Sequence, residues 1–392
     1  MMNLKKDKWK TVRLSDVCVR VETIDQRRQN GIFNYIDIGS VNSDLNRINK
    51  IQELDWGEAS SRARQIIRKN DTLFSTVRVN LQRVALVESE IPNGIASTGF
   101  TVLRANEDMV HPLYIFYNAV APIFLDKLIK LQVGTAYPAV TDKMVLSQEI
   151  PLPPLDEQER IVELFQSVEQ AIVHAEGQEK NLRRLCKSLI DGLISNKPSF
   201  GNLLIGKKLK RVRYCDVAQK LTRRINPVDY GIERIVAGEN LEAEDFKIRT
   251  WGTVGKDFLG PAFHVLFQAG DILYGSRRTY LKKVALADFE GVCANTTYVI
   301  RANEEFLLQD LLKHVMLSER FTQYSIGVSK GSTNPYINWK DLDNFTFDIP
   351  ELETQRIIVD LLDEILANAE KLRQQKETLK KLKQKLLNEI LG

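Results

Sequence analysis

The feature that most constrains this chain of 392 residues is an internal repeat. NDTLFSTVRVNLQRVAL (70–86) returns as GDILYGSRRTYLKKVAL (270–286) without a gap. Asp71 matches Asp271, Leu73 matches Leu273, Arg78 matches Arg278, Leu81 matches Leu281, and Val84-Ala85-Leu86 matches Val284-Ala285-Leu286. RLSDV (13–17) returns as RYCDV (213–217), LRANE (103–107) as IRANE (300–304), and GTAYPAV (134–140) as GSTNPYI (331–337). Pro153, Leu155, Gln158, Ile161 and Val162 are answered by Pro350, Leu352, Gln355, Ile358 and Val359. Such register implies two copies of one structural unit.

Each copy ends in a helical pattern. After Pro153-Pro154, with Asp156 and Glu159 at capping-box spacing, apolar positions recur at alternating steps of four and three. They are Ile161, Phe165, Val168, Ile172, Ala175, Glu179, Leu182, Cys186, Leu189 and Leu193. The second copy repeats them at Ile358, Leu362, Ile365, Ala369, Leu372, Lys376, Leu379, Lys383, Leu386 and Ile390. This is a heptad seam, and a helix over about 156–194 would run ~57 Å at 1.5 Å per residue. A helix that long needs a partner along its length, and its twin is the obvious one. If a pseudo-twofold axis relates the copies, the helices pair antiparallel and equivalent positions meet only at the midpoint. Glu179 and Lys376 are equivalent and break the seam with opposite charges. Either they meet and fix the register, or both reach out to solvent.

The globular parts read as α+β. TLFSTV, RVALVES and STGFTVLRA, with ILYGS, KVALADF and NTTYVIRA, have strand character; HPLYIFYNAVAPIFLDKLIKL and LQDLLKHVMLSERFTQYSI have helical character. The expected architecture is two related domains, 1–152 and 210–350. Two long coiled-coil helices, 153–196 and 351–392, follow them, and a linker spans 197–209.

Composition and motifs exclude several function classes. With 43% hydrophobic and 27% charged residues the chain is too apolar to be disordered. No apolar run of membrane length occurs and MMNLKKDKWK is no secretion signal, so the cytoplasm is expected. Cys18, Cys186, Cys215 and Cys293 are scattered without a Cys-x-x-Cys pair, and His111, His174, His264 and His314 stand alone. Neither a disulfide framework, nor a zinc site, nor a histidine-based catalytic pair is suggested. A net charge of +4 permits a nucleic-acid partner without demanding one. Asn334-Pro335-Tyr336 approaches the Asn-Pro-Pro-Tyr signature of amino-methyltransferases, but the second proline is missing and the first copy has Tyr137 where Asn334 stands. Both copies keep a glycine, then Thr or Ser, then a proline, which reads as a shaped loop. GNLLIGKK (201–208) has phosphate-loop spacing, yet Lys208 replaces the magnesium-binding hydroxyl and no buried strand precedes it, so it reads as linker.

Between paired strands lies VRVNLQR in one copy and RRTYLKK in the other. A hairpin tip carrying Arg78, Asn80 and Arg83, or Arg277, Arg278, Tyr280, Lys282 and Lys283, offers forked donors for guanine edges and phosphates with an amide or phenol beside them. The alternative is a strand edge kept soluble by positive charge. SRARQIIRK (61–69) could add phosphate contacts, while KKLKRVR (207–213) reads as a solvated entry to the second domain.

Taken together, IPLPPLDEQERIV (150–162), DIPELETQRIIV (348–359), the glycine loops and GDILYGSRRTYLKKVAL resemble the specificity subunit of type I restriction-modification systems. The resemblance spans nearly the whole chain; Glu351 departs from it where the first copy has Pro154. It implies a DNA-binding adaptor without catalysis of its own, serving DNA methylation and host defence. Each target recognition domain would read one half of a split, asymmetric sequence, with the antiparallel helices as a ruler between them. Two modification subunits carrying S-adenosylmethionine would dock on the helices, and restriction subunits using ATP and Mg would join them; this chain itself would hold no cofactor or metal. The hairpin residues carry over as contacts to double-stranded DNA, with Thr135 and Ser332 of the glycine loops as weaker candidates. The competing class is a coiled-coil structural or adaptor protein that does not touch DNA.

Overall fold

The structure, a computed structural model, describes residues 6–134, 137–257 and 260–392. It divides into two compact units, Met1–Glu176 with Gln374–Gly392, and Gly177–Arg373. The division cuts through both long helices, Leu155–Leu193 and Leu352–Leu391. Each unit therefore contains one globular domain, the beginning of the helix that follows it, and the end of the other long helix.

The first unit is built on three sheets. Lys10–Arg13 pairs antiparallel with Glu149–Leu152, closing the domain where the first long helix departs. A mixed sheet has the order Gln52–Asp55, Ile32–Ile36, Gly94–Ser97, Ala63–Ile66, with the middle two strands parallel. An antiparallel sheet has the order Cys18–Val19, Phe100–Ala105, Thr72–Ser75, Val84–Leu86. The second unit repeats all three. Lys210–Arg213 pairs with Thr346–Ile349; the mixed sheet runs Gly252–Thr253, Arg234–Val236, Gly291–Ala294, Phe263–Phe267; the antiparallel sheet runs Ala218–Leu221, Thr297–Ala302, Ile272–Gly275, Val284–Leu286.

The gap-free repeat forms the strands that are buried on both faces. Leu73 and Ala85 join one core with Phe100 and Val102, whereas Phe74 and Val84 join another with Tyr114 and Phe124. Period-two alternation sends neighbouring side chains to opposite faces, so a strand between two cores reads as a continuous apolar run. The aspartate before the strand is buried too. Asp71 accepts two bonds from Arg104, at 2.9 and 2.7 Å, and one from the Arg68 backbone at 2.8 Å; Asp271 serves Arg301 and the Gln268 backbone in the same way. A carboxylate removed from water needs such partners, which explains its presence in both copies.

Each expected domain helix is two. Pro112–Val120 and Pro122–Leu131 meet at a 62° bend, because Pro122 has no N–H to continue the first helix. In the second unit Gln309–Leu317 gives way to Glu319–Gly327 without a proline. There the buried Ser318 makes the break, its hydroxyl donating to the Val315 carbonyl at 2.7 Å and accepting from Phe321 N at 3.2 Å. No single helix among the described residues is long and apolar enough to cross a membrane, and the bent pair is largely buried in the first unit's core.

At the helix entry the structure corrects the capping assignment. The helix begins at Leu155, with the Pro154 carbonyl already accepting the Glu157 and Gln158 N–H groups. Asp156 therefore lies within the first turn, where it binds Arg160 at 2.7 Å. The anchor is Gln158. Its buried amide donates to the Pro153 carbonyl at 2.8 Å and the Met109 carbonyl at 3.3 Å, and accepts from His111 N at 2.8 Å. Gln355 does the same with the Pro350 and Phe306 carbonyls and Leu308 N.

Along the seam Ile161, Phe165, Ala175, Cys186 and Leu193 are buried, as are Ile358, Leu362, Ala369 and Ile390. Toward each helix end the buried stripe moves by one residue, to Ile190 beside half-buried Leu189 and to Leu387 beside half-buried Leu386. These ends pack into domain cores rather than against a single helix. Within the first unit the ends run in opposite directions: Trp9 and Lys6 tie Glu157 and Glu389 at one end, and Glu169 meets Lys383 at 2.6 Å further along. Glu179 accepts from Arg183 at 3.1 Å; it belongs to the second unit and Lys376 to the first.

Candidate nucleic-acid interface

Two hairpin tips carry the sequence candidates. In the first unit, strands Thr72–Ser75 and Val84–Leu86 are joined through a one-turn 3-10 segment, Val79–Leu81. Arg78 and Gln82 flank that turn with φ of 50° and 51°. In the second unit, Thr279–Leu281 is flanked by Arg278 and Lys282 with φ of 51° and 50°. Left-handed backbone is unfavourable for residues with a Cβ, so a matched pair in both copies has to be imposed by surrounding contacts.

The glycine loops supply those contacts. Arg78 N donates to the Pro138 carbonyl and Arg278 N to the Pro335 carbonyl, each at 2.7 Å. Val140 N donates to the Thr76 carbonyl and Ile337 N to the Ser276 carbonyl, each at 2.9 Å. Each loop is closed on itself, by Val133 with Ala139 and by Lys330 with Tyr336. Gly134 at φ 103° and Gly331 at φ 88° permit the reversal. Beneath each tip a buried residue, Val79 or Thr279, plugs it into the domain. The shaped loop inferred from sequence is therefore a backbone clamp on the tip.

Around the buried Val79 and Thr279, the exposed polar side chains are Arg78, Asn80 and Gln82 in the first tip, with Leu81 also exposed, and Arg277, Arg278 and Tyr280 in the second. The Arg78 guanidinium lies 4.8 Å from the centre of the Tyr137 ring, itself 71% exposed. Tyr336 is paired with Arg277 through the backbone and presents its ring at the surface. Ser332 is exposed; Thr135 lies outside the described residues.

The fold engages three of the basic candidates internally. Arg83 donates to the Ile38 carbonyl at 2.9 Å and Lys283 to the Gly238 carbonyl. Lys282 has only 11% of its side chain exposed and sits between Glu319, at 2.8 Å, and Glu244, at 3.3 Å. Burial alone would lower the Lys282 pKa, but the hydrogen bond to Glu319 and the two carboxylates outweigh it and raise it. Gln323 and Lys282 in turn hold Glu319 down at about 2. The charge cluster extends to Lys187 on the first long helix, 3.6 Å from Glu319.

The other basic runs are largely engaged as well. One guanidinium nitrogen of Arg68 donates to both carboxylate oxygens of Glu22, and Arg64 bonds the Ser61 carbonyl. In 207–213, Lys207 meets Glu351, Arg211 is bidentate to Asp348 and Arg213 meets Asp216. A groove of about 880 Å³ in the second unit, lined by Asp216, Arg301, Glu304 and Asp310 among others, includes no tip residue. Among the described residues, no three His, Cys, Asp or Glu side chains are grouped to hold a metal.

Sequence reasoning passed over Gln82, Tyr137 and Tyr336. A polar residue aligned with Lys282 marked Gln82, and tyrosines beside the loop prolines marked the others. Among the described residues, this surface offers the amides of Asn80 and Gln82 and the guanidinium forks of Arg277 and Arg278, which have no hydrogen-bond partner in the fold, with Arg78 against the exposed Tyr137 ring beside them, a combination suited to base edges and phosphates.

The family model of the type I restriction modification DNA specificity domain matches residues 6–182 and again 231–381. The type I restriction enzyme MjaVIII specificity subunit of Methanocaldococcus jannaschii is 24% identical over 343 residues, covering 83% of this chain and 79% of that protein. The type I restriction enzyme EcoDI specificity subunit of Escherichia coli is 29% identical over 164 residues, a match spanning 42% of this chain and 36% of that relative. Among solved structures, a chain from work on complex assembly and conformational transition of the type I R-M system aligns with a TM-score of 0.64 at 26% identity, covering 97% of this chain and 96% of that one.

Proposed function

The chain belongs to the type I restriction modification DNA specificity family, and on that premise we propose that it is the DNA-reading subunit of a type I complex, performing no chemistry itself. Each globular domain reads one half of a bipartite target. The long helices hold two modification subunits, which bring S-adenosylmethionine to the adenines; restriction subunits driven by ATP and Mg complete the assembly.

The observation that carries this reading is the pair of tips. One backbone, held by the same proline-carbonyl bonds, presents different side chains in the two domains. Shared scaffold with unlike reading groups is what an asymmetric two-part target requires.

The test is to express the chain with modification subunits, verify assembly, and map methylated adenines across the host DNA. A split motif with unlike halves is expected, and exchanging residues 1–152 together with the end of the second long helix (374–392), which shares their core, for those of a relative should change one half only. An assembled, cofactor-loaded complex that methylates nothing and binds DNA without salt dependence would overturn the reading.

A further inference from the structure

The tips differ in chemical class once the internally engaged residues are set aside. Gln82 and Lys282 occupy the same left-handed position. Lys282 is drawn into the Glu244–Glu319 cluster, whereas Gln82 is exposed. Arg83 and Lys283, also equivalent, both bond backbone carbonyls. Among the described residues, the side chains of Asn80 and Gln82 in the first tip, and of Arg277, Arg278 and Tyr280 in the second, make no hydrogen bond or ion pair within the fold. With the Arg78 guanidinium lying 4.8 Å from the centre of the Tyr137 ring, the first tip adds two carboxamides where the second adds a further guanidinium at Arg277 and a phenol at Tyr280.

These groups match different bases. A carboxamide donates and accepts side by side, as the N7 and N6 edge of adenine requires; a guanidinium donates twice in parallel, matching O6 and N7 of guanine. The backbone of both tips is fixed before any ligand arrives, so little ordering cost opposes the contact.

Building on the proposed function, we propose that the first domain reads an A·T pair through Asn80 and Gln82, and that the second reads a guanine through Arg277 and Arg278. Base choice then follows from which side chains the fold leaves available, rather than from net positive charge. Lys282, Lys283 and Arg83 set the tip's shape and carry no base information.

The assembled complex of the full chain with modification subunits provides the test, read as methylation frequency for each sequence variant of the target. The half assigned to residues 210–350 should contain a guanine at a fixed position. Arg277→Lys with Arg278→Lys keeps both charges and removes both forks, so discrimination at that guanine should fall roughly tenfold to a hundredfold with the other half unchanged. Asn80→Ala with Gln82→Ala should relax one A·T position in the first half, other than the methylated adenine. A second half lacking a fixed guanine would overturn the assignment, as would variants that lower methylation evenly on every sequence. Absence of any split motif from the assembled wild-type complex would strike the proposed function instead.

Discussion

At the scale of single residues, the repeat told which positions matter and left open what they do. Gln158 and Gln355 stood out because both copies keep them; that each satisfies two carbonyls and an N–H at the root of a long helix depends on loops far away in sequence. Lys282 looked like a nucleic-acid contact because basic charge is all that sequence displays, whereas its partners Glu244 and Glu319 arrive through tertiary packing. His314 shows the same limit and yields a prediction. It is 1% exposed, packed edge-on against Phe246 and 3.4 Å from Asp363. Burial lowers its pKa below 6.5, with Asp363 opposing and Lys313 adding to the drop. The folded ring therefore stays neutral where the unfolded one takes up a proton. Stability from this group is complete above the unfolded value of about 6.5 and declines as pH falls below it, by at most about 1.4 kcal/mol per pH unit. Urea midpoints at pH 7.5 and 5.5 should separate in the parent chain and move closer together in His314→Gln; an unchanged separation would remove His314 from the account.

At the scale of elements, periodicity located the hairpins and the long helices, since strands buried on both faces and heptads leave strong patterns. It missed the breaks at Pro122 and Ser318, because the apolar spacing continues across both. It also could not show that the tips are held in left-handed backbone by a proline carbonyl from another loop. That backbone invites a separation of stability from recognition. Gln82 has φ of 51°, which glycine adopts without strain, and its side chain has no partner among the described residues. Gln82→Gly should leave folding stability unchanged or raise it by up to about 1 kcal/mol. The same change should weaken discrimination at the A·T position assigned to the first domain. Thermal unfolding and the methylation pattern of one variant measure both effects, and a marked loss of stability would show that the amide supports the tip instead of reading through it.

At the scale of the whole molecule, the repeat suggested two domains each followed by its own helix, and the compact units are divided otherwise. Leu387, Ile390 and Leu391, at the end of the chain, join the core of the first unit with Tyr114, Phe165 and Leu128. Ile190, Leu193 and Ile194, at the end of the first long helix, join the core of the second with Tyr214, Phe321 and Phe347. A heptad pattern announces that a helix will be buried but not which domain buries each end, because the apolar seam looks alike along its length. Crossed effects on stability follow. Leu387 is fully buried, so Leu387→Ala should cost roughly 2–5 kcal/mol, felt in the first unit although the residue lies beyond the second domain in sequence. Leu193→Ala, also at a buried site, should weaken the second unit in turn. Native-state hydrogen exchange resolved by segment would read both changes: Leu387→Ala should speed exchange in strands 72–75 and 100–105 and spare 272–275 and 297–302, with the reverse for Leu193→Ala. If each substitution loosened only the domain immediately before its own helix, the helix ends would not be core elements of the units that contain them, and domain exchanges could be cut safely at the helix starts. If the effects cross, an exchange of one recognition domain must carry the far end of the other helix with it to keep its core closed.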